Sequence, residues 1–190
     1  MVVELISVGT ELLLGNIVNT NAQFLAEKCA SLGLSMYHQV TVGDNHDRLA
    51  EVIRTALKRS DVIILTGGLG PTEDDLTKEV CAEVMGFPLV EDKHTRERIE
   101  EYFRNNIYKV ISDNNWKQAI VPAGCIVLGN DNGTAPGLIL EKYGKSAILL
   151  PGPPNELYPL FMNQVYPYLQ KLQPEVIRSQ MVKVCGIGES

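Results

Sequence analysis

Apolar and polar positions follow two different periods along the chain. Residues 2–8 are rich in apolar, β-branched side chains, and residues 34–42 place an apolar side chain at every second position. Such runs predict strands. Between strands the helical period recurs, as in Leu49, Val52 and Ile53, which begin a series at i, i+3 and i+4. Strands that alternate with helices at this spacing predict a parallel sheet with helices on both faces.

The rest of the pattern predicts further elements of the same kind. Further strands are predicted at residues 62–65, 125–128, 138–140, 147–150 and 182–185. Further helices are predicted at residues 20–32, at 76–84, at 92–109 with Ile99, Tyr102 and Phe103 facing inward, and from Pro154 to a kink or end at Pro167. The turn-rich segment 130–133 between two late strands indicates at least one antiparallel strand.

Composition and charge narrow the class of protein. The chain has 190 residues, of which 45% are hydrophobic and 21% charged, enough for one well-buried domain. Its 23 acidic and 17 basic residues give a net charge of −6, which disfavours nucleic acid and anionic lipid as partners. No apolar run approaches the length of about 18 residues that a membrane helix needs. With no secretory signal at the start, we expect a cytoplasmic protein.

Cysteine and histidine give no sign of a zinc site or of a serine hydrolase. The cysteines lie far apart, at residues 29, 81, 125 and 185, without C-x-x-C spacing, and none of the three histidines lies at a metal-binding spacing. No G-x-S-x-G sequence is present, so the nucleophile elbow of the α/β hydrolases is missing.

Glycine followed by a carboxylate or hydroxyl recurs where predicted strands end. The segments are Gly9-Thr10-Glu11, Gly43-Asp44, the run from Gly67 to Asp75, and Pro151-Gly152-Pro153-Pro154-Asn155-Glu156. Ligands bind to open α/β sheets at the carboxyl ends of the strands, and glycine lets a backbone approach them closely. The four segments therefore predict one binding site at this edge of the sheet.

The run from Gly67 to Asp75 is the strongest single feature. Its glycines can aim backbone N–H groups at an anion, with the following helix adding positive potential. The alternative is a tight strand-to-helix turn with an acidic cap. No Gly-Lys-Ser/Thr follows, and Glu73 stands where a dinucleotide fingerprint needs glycine. The run is therefore neither a Walker loop nor that fingerprint.

Acidic residues lie beside this predicted phosphate site. Glu73, Asp74 and Asp75 are predicted to begin the next helix, where the dipole stabilises carboxylates. A carboxylate would repel a bound phosphate unless a divalent cation bridges the two. Glu11, Asp44 and Asp75 are the candidate metal ligands, although Asp44 could equally cap the helix that follows it.

Several of these segments, with others, form a characteristic set. In chain order they are Gly9-Thr10-Glu11-Leu12-Leu13-Leu14-Gly15, Asn19-Thr20-Asn21, Gly67-Gly68-Leu69-Gly70-Pro71-Thr72, Asp74-Asp75, Gly133-Thr134-Ala135-Pro136-Gly137 and Pro151-Gly152-Pro153-Pro154-Asn155-Glu156. Together they closely resemble the N-terminal domain of the CinA family, the competence- and damage-inducible protein group. That group is related to the molybdopterin-binding domains of molybdenum cofactor biosynthesis.

The resemblance implies a three-layer α/β/α sandwich with a mostly parallel sheet, like a molybdopterin-binding domain. We expect this domain to span residues 1–174, with residues 175–190 beginning the next segment of the family. The C-terminal deamidase domain of the family is then expected to be absent. The family also implies a homo-oligomer.

The family activity implied is metal-dependent hydrolysis of a nucleotide-sugar diphosphate, with ADP-ribose, split into AMP and ribose 5-phosphate, as the best candidate. The implied cofactor is Mg²⁺, Mn²⁺ or Co²⁺, with K⁺ as a further candidate. Asp75 and Asp44 are the expected catalytic residues, and with Glu11 they are the expected metal ligands. The expected phosphate and substrate contacts are Thr10, Glu11, Asn19, Gly67, Gly68, Gly70, Thr72, Thr77, Thr134, Gly152, Pro153 and Glu156.

Two other functions stay open at this point. Cofactor-biosynthesis relatives usually carry Gly-Gly-Thr-Gly where this chain has Gly67-Gly68-Leu69-Gly70, a difference that favours the CinA branch. A module that binds a pterin or nucleotide without hydrolysing it would nevertheless share every phosphate contact. An interaction domain serving competence or DNA repair has the least support from individual residues.

Overall fold

The computed structural model describes residues 1–105 and 111–173. The strands are β1 (Val2–Val8), β2 (Ser35–Val42), β3 (Val62–Thr66), β4 (Leu89–Glu91), β5 (Ile120–Pro122), β6 (Ile126–Leu128), β7 (Gly137–Lys142) and β8 (Lys145–Leu150). The helices are α1 (Thr10–Leu13), α2 (Thr20–Ser31), α3 (His46–Arg59), α4 (Thr77–Met85), α5 (Lys93–Asn105), α6 (Pro154–Leu160) and α7 (Tyr166–Leu172). A 3₁₀ helix (Asp113–Ala119) precedes β5, and a π-helical segment (Phe161–Val165) joins α6 to α7.

Six strands form one mixed sheet in the order β2-β1-β3-β8-β7-β6. The first four run parallel, whereas β7 pairs antiparallel with both β8 and β6. The predicted parallel sheet with an antiparallel part is therefore confirmed. A separate antiparallel pair, β4 with β5, escaped prediction because each strand has three residues and β4 is exposed throughout.

Side chains of each central strand point alternately into two cores, one on either face of the sheet. In β1, Val3 and Leu5 belong to the core under α2 and α6, whereas Ile6 and Val8 belong to the core under α3 and α4. This alternation follows from the two-residue period of a strand. It confirms the sandwich of helices, sheet and helices.

The predicted ends of two helices differ from the structure. Helix α5 ends the described segment at Asn105; its Ile99 is buried as expected, but Tyr102 is 37% exposed. The C-terminal helical run does not stop at Pro167, because this proline falls in the first turn of α7, after the π-helical segment. A missing N–H is tolerated at such a position.

The two ends of the described chain lie together. The amino group of Met1 donates a hydrogen bond to Gln173 Oε1 at 3.2 Å, next to the start of β1. The predicted strand at 182–185 and the predicted boundary at residue 174 lie outside the described residues. No helix within residues 1–105 or 111–173 is long and apolar enough to cross a membrane.

His46 joins α3 to α4, and its contacts predict a stability that depends on pH. Its ring nitrogens lie 3.0 Å from Asp47 Oδ1 and 2.9 Å from Glu83 Oε2. The hydrogen bond to Asp47, and then that to Glu83, raises the pKa of His46 above its ordinary 6.5. A raised pKa means that the contribution is complete below the unfolded pKa and is lost as pH rises through the folded value.

We therefore expect the free energy of unfolding, measured with urea, to fall between about pH 6 and about pH 8 as His46 loses its proton. In His46→Gln this fall should become smaller. The matched control is His94→Gln, which removes an exposed histidine from α5 and should leave the fall unchanged. Equal pH profiles for wild type and His46→Gln would contradict the prediction.

Candidate functional site

A cleft of about 650 Å³ opens at the carboxyl ends of the parallel strands; we call it the strand-end cleft. The loops that follow β1, β2, β3 and β8 all contribute to it, as the sequence predicts. Twelve of the predicted site residues line it: Glu11, Asn19, Asp44, Gly67, Gly68, Gly70, Thr72, Asp75, Thr134, Gly152, Pro153 and Glu156. Thr10 and Thr77 are not among the lining residues: Thr10 is exposed and donates to Asp44, whereas Thr77 is buried.

Close packing of the loop after β3 explains why Gly67 is glycine. Its backbone has φ +90°, and a Cβ there would lie 2.3 Å from the carbonyl oxygen of Val8. The Gly67 N–H donates to the carbonyl of Leu150 at 3.0 Å, so it is not available to a phosphate as predicted. Among the loop hydrogen bonds of the described residues, none is donated by the amides of Gly68, Leu69 or Gly70.

Asp75 belongs to a turn and not to the start of α4. Its Oδ2 accepts hydrogen bonds from the N–H of Thr72 at 3.0 Å and from the Thr72 hydroxyl at 2.5 Å. Helix α4 begins only at Thr77, so the prediction that Glu73, Asp74 and Asp75 begin it is wrong. The Thr72–Asp75 hydrogen bonds fold the chain back before the helix can start, and they engage the Thr72 hydroxyl that was predicted to hold phosphate.

Asp44 similarly links two neighbouring strand ends. Its Oδ2 accepts from the N–H and the hydroxyl of Thr10, both at 2.9 Å. The cap of α3 is Asn45, whose side chain accepts from the N–H of Arg48 at 3.1 Å. Of the two roles left open by the sequence, capping therefore falls to Asn45, and Asp44 faces the strand-end cleft.

Two further predicted site residues, Asn19 and Thr77, support the fold around the cleft. Asn19 caps α2, because its side-chain oxygen accepts a hydrogen bond from the N–H of Ala22. Its Nδ2 donates to Ser7 Oγ at 2.8 Å, so both ends of the side-chain amide have partners within the protein. Thr77 is fully buried under Gly68, where a Cβ would meet its Oγ1 at 2.2 Å. Thr77 therefore supports the loop from behind.

Several glycines make room for carboxylates. A Cβ on Gly9 would lie 2.5 Å from a Glu11 carboxylate oxygen, and one on Gly70 would lie 2.5 Å from Asp75 Oδ2. A Cβ on Gly133 would lie 2.1 Å from Glu156 Oε2. Two of the glycine and carboxylate pairs in the sequence, Gly9 with Glu11 and Gly70 with Asp75, thus have a steric cause, because each carboxylate folds back onto its own glycine loop.

The strand-end cleft is acidic. Its described lining includes the carboxylates of Glu11, Asp44, Asp74, Asp75 and Glu156, and no Lys, Arg or His. Burial raises the pKa of Glu156 above its ordinary value, against the opposing effect of a hydrogen bond from Asn130. A polyanion could bind here only if its charge were balanced by something other than a basic side chain of the lining.

The three candidate metal ligands line one cleft but do not form a ready-made metal cage. Nowhere in residues 1–105 and 111–173 do three or more His, Cys, Asp or Glu side chains group so that they could hold a metal ion. One carboxylate oxygen of Asp44 accepts from Thr10, just after β1, and one of Asp75 accepts from Thr72 in its own loop. Their oxygen donors suit a hard cation such as Mg²⁺, which binds through one or two carboxylates together with substrate phosphates. The cation itself stays a prediction.

The segment that supports the glycine loop could not be predicted from the sequence. Lys117 donates from Nζ to the carbonyl oxygens of Thr72, at 2.7 Å, and Asp75. Gln118, the next residue of the 3₁₀ helix, donates from Nε2 to the carbonyl of Leu69 at 3.3 Å and lines the cleft. No local pattern marks these residues, because their partners lie more than forty positions away in the sequence.

Comparison with known proteins places this geometry in a family. Residues 4–171 match the family model described as "Probable molybdopterin binding domain". A competence-damage inducible protein of Clostridium acetobutylicum is 54% identical over 190 residues, which are 100% of this chain and 46% of that protein. A protein of the same name from Caldicellulosiruptor bescii is 57% identical over the same length, again 46% of that protein.

A solved structure shows the same family relationship in three dimensions. The protein CinA of Thermoplasma acidophilum superposes with a TM-score of 0.79 at 35% identity, covering 85% of this chain and 94% of that one. The chain belongs to the CinA family. It spans about half the length of the curated CinA relatives that it matches.

The CinA domain shares its fold with proteins of molybdopterin biosynthesis. The enzyme MoaB of Thermus thermophilus matches with a TM-score of 0.57 at 16% identity, covering 92% of this chain and 98% of that one. At this identity the match is one of fold alone.

Proposed function

We propose that this CinA-family domain hydrolyses the diphosphate of a nucleotide sugar, with ADP-ribose as the preferred candidate and AMP and ribose 5-phosphate as products. The observation that carries the proposal is the combination of five carboxylates and no basic side chain in a cleft lined by glycine loops. Backbone amides can hold phosphate oxygens, but they do not neutralise a dianion surrounded by carboxylates. A divalent cation would satisfy both groups.

The residues divide into two roles under this proposal. The amides of Gly68, Leu69 and Gly70 bind phosphate oxygens, while Thr134 and the loop 151–156 shape the nucleoside pocket. Asp75 and Asp44 would hold the cation, with Glu11 as the third candidate. When bound, the cation polarises the phosphoryl group and lowers the pKa of an attacking water.

The experiment is an assay of purified chain with ADP-ribose, with and without Mg²⁺, Mn²⁺ or Co²⁺, in the presence and absence of K⁺, with products separated by chromatography. We expect AMP and ribose 5-phosphate in equal amounts, formed only when the divalent metal is present. Turnover that is unchanged by a chelator would contradict metal dependence. Tight binding of ADP-ribose without turnover under every metal would contradict hydrolysis.

The second candidate is a module that binds a pterin or nucleotide without reaction. The family model that matches residues 4–171, described as a molybdopterin binding domain, favours it. Retention of the bound ligand unchanged in the same assay is its expected result. Self-association of the chain stays a prediction under either function, and sedimentation or light scattering would test it.

A further inference from the structure

Two amide side chains that line the strand-end cleft carry buried oxygen atoms without hydrogen-bond partners in the described part of the chain. Gln118 is only 3% exposed, and its Oε1 has no hydrogen-bond partner within the described part of the chain. The same holds for the buried Oδ1 of Asn21. Both residues line the cleft. Since buried polar atoms are almost always hydrogen-bonded, two orphaned acceptors on residues that line one cleft indicate a ligand that supplies the donors.

The orientation of each amide is fixed by the fold. Gln118 Nε2 donates to the carbonyl of Leu69 at 3.3 Å, and Asn21 Nδ2 donates to the carbonyl of Gly152 at 2.7 Å. A flipped amide would set its oxygen against a carbonyl oxygen, which repels it. The nitrogen of each amide therefore stays on a glycine loop, and the oxygen stays without a partner among the described residues.

The two amides approach the glycine loops from opposite layers of the sandwich. Asn21 lies in α2, which packs on one face of the sheet, whereas Gln118 precedes β5, whose Val121 belongs to the core of the other face. The two loops themselves touch, since a Cβ on Gly152 would lie 3.6 Å from the Cα of Gly67. A ligand seated on these loops thus meets one amide oxygen from each layer.

An amide oxygen is a hydrogen-bond acceptor, so only a donor group can form a hydrogen bond with it. Phosphate oxygens at neutral pH are acceptors, so an amide oxygen repels them. Hydroxyl groups of ribose and the amino group of a base are donors. We propose, resting on the proposed function, that Gln118 and Asn21 are specificity-determining residues that accept hydrogen bonds from the ribose or base of a nucleotide and so favour a nucleotide over bare diphosphate.

Lys117 provides a matched comparison on the same 3₁₀ helix. It holds the loop through the carbonyls of Thr72 and Asp75, but it does not line the cleft. It is thus a positioning residue, and Lys117→Met should weaken every ligand of the loop. Gln118→Met and Asn21→Leu should weaken only ligands that carry donors.

The test is calorimetric binding of AMP, IMP and inorganic pyrophosphate, with Mg²⁺, to wild type and the three variants. AMP contains no diphosphate bond, so its binding does not depend on hydrolysis. Gln118→Met should weaken AMP binding by at least about tenfold and pyrophosphate binding by less than about twofold. Lys117→Met should weaken both ligands alike.

IMP, which lacks the amino group of the base, locates the donor. A wild-type preference for AMP over IMP that disappears in Gln118→Met supports the proposal with the amine as donor. Equal losses of AMP and IMP affinity in the variant support it with a ribose hydroxyl as donor.

Three results would overturn the inference: equal losses for AMP and pyrophosphate in Gln118→Met, no loss for either, or a wild type that does not bind AMP. Selective AMP binding together with absent ADP-ribose hydrolysis would leave it standing and remove the proposed hydrolase function.

Discussion

Asp75→Asn is expected to lower ADP-ribose turnover by at least about a hundredfold while the fold stays intact. Asparagine has nearly the shape of aspartate, and its side-chain oxygen can still accept the hydrogen bonds from the N–H and hydroxyl of Thr72. The turn against Gly70 should therefore persist. The substitution removes the negative charge of the side chain, and with it the proposed binding of a cation.

Steady-state rates at several Mg²⁺ concentrations, together with thermal unfolding curves, measure both parts of this expectation. The matched control is Asp47→Asn, since the Asp47 side chain is 98% exposed on α3 and lies outside the strand-end cleft. The control should retain wild-type turnover. If Asp75→Asn kept full activity at limiting Mg²⁺, the role given to Asp75 would be lost.

Gly67→Ala is expected to destabilise the fold by about 2–5 kcal/mol and to abolish ligand binding. The residue adopts φ +90°, and its Cβ would lie 2.3 Å from the backbone oxygen of Val8. Backbone at the end of a central strand cannot yield as a flexible side chain would. The loop cannot retreat freely either, because Gly152 lies on its other side and the Gly67 N–H is bonded to Leu150.

The control separates the two causes of this effect. Gly144 also has a positive φ, +73°, but a Cβ there has nothing within 4 Å. Gly144→Ala should therefore cost only the backbone term, about 1 kcal/mol, and leave ligand binding unchanged. Urea unfolding curves for both variants give the comparison. Equal losses of stability would show that the close approach to Val8 contributes nothing.

The position of the strand-end cleft could be predicted from the sequence because topology dictates it. Parallel strands joined by helices bring their carboxyl ends to one edge, so Asp44 and Asp75 meet in one cleft although thirty-one positions separate them. The partners of these carboxylates could not be predicted. Whether Asp75 caps a helix or closes a turn depends on its two hydrogen bonds from Thr72, and both outcomes fit the same local sequence.

Long-range contacts account for the rest of what escaped prediction. Glu4 interrupts the apolar run of β1, yet it is only 1% exposed and accepts two hydrogen bonds from Arg59, at 2.9 and 2.6 Å. Nothing in residues 2–8 reveals a partner fifty-five positions away. Gln118 is a similar case, because the 3₁₀ helix carries no apolar period that would place it against Leu69.

The contact between Met1 and Gln173 has a consequence for protein architecture. It lies at the start of β1, and the strand-end cleft lies at the other end of that strand, about 20 Å away for seven residues. Met1 and Gln173 are thus neighbours on the side of the sheet remote from the strand-end cleft. A reporter fused to Met1 would therefore begin on the side of the sheet opposite the cleft.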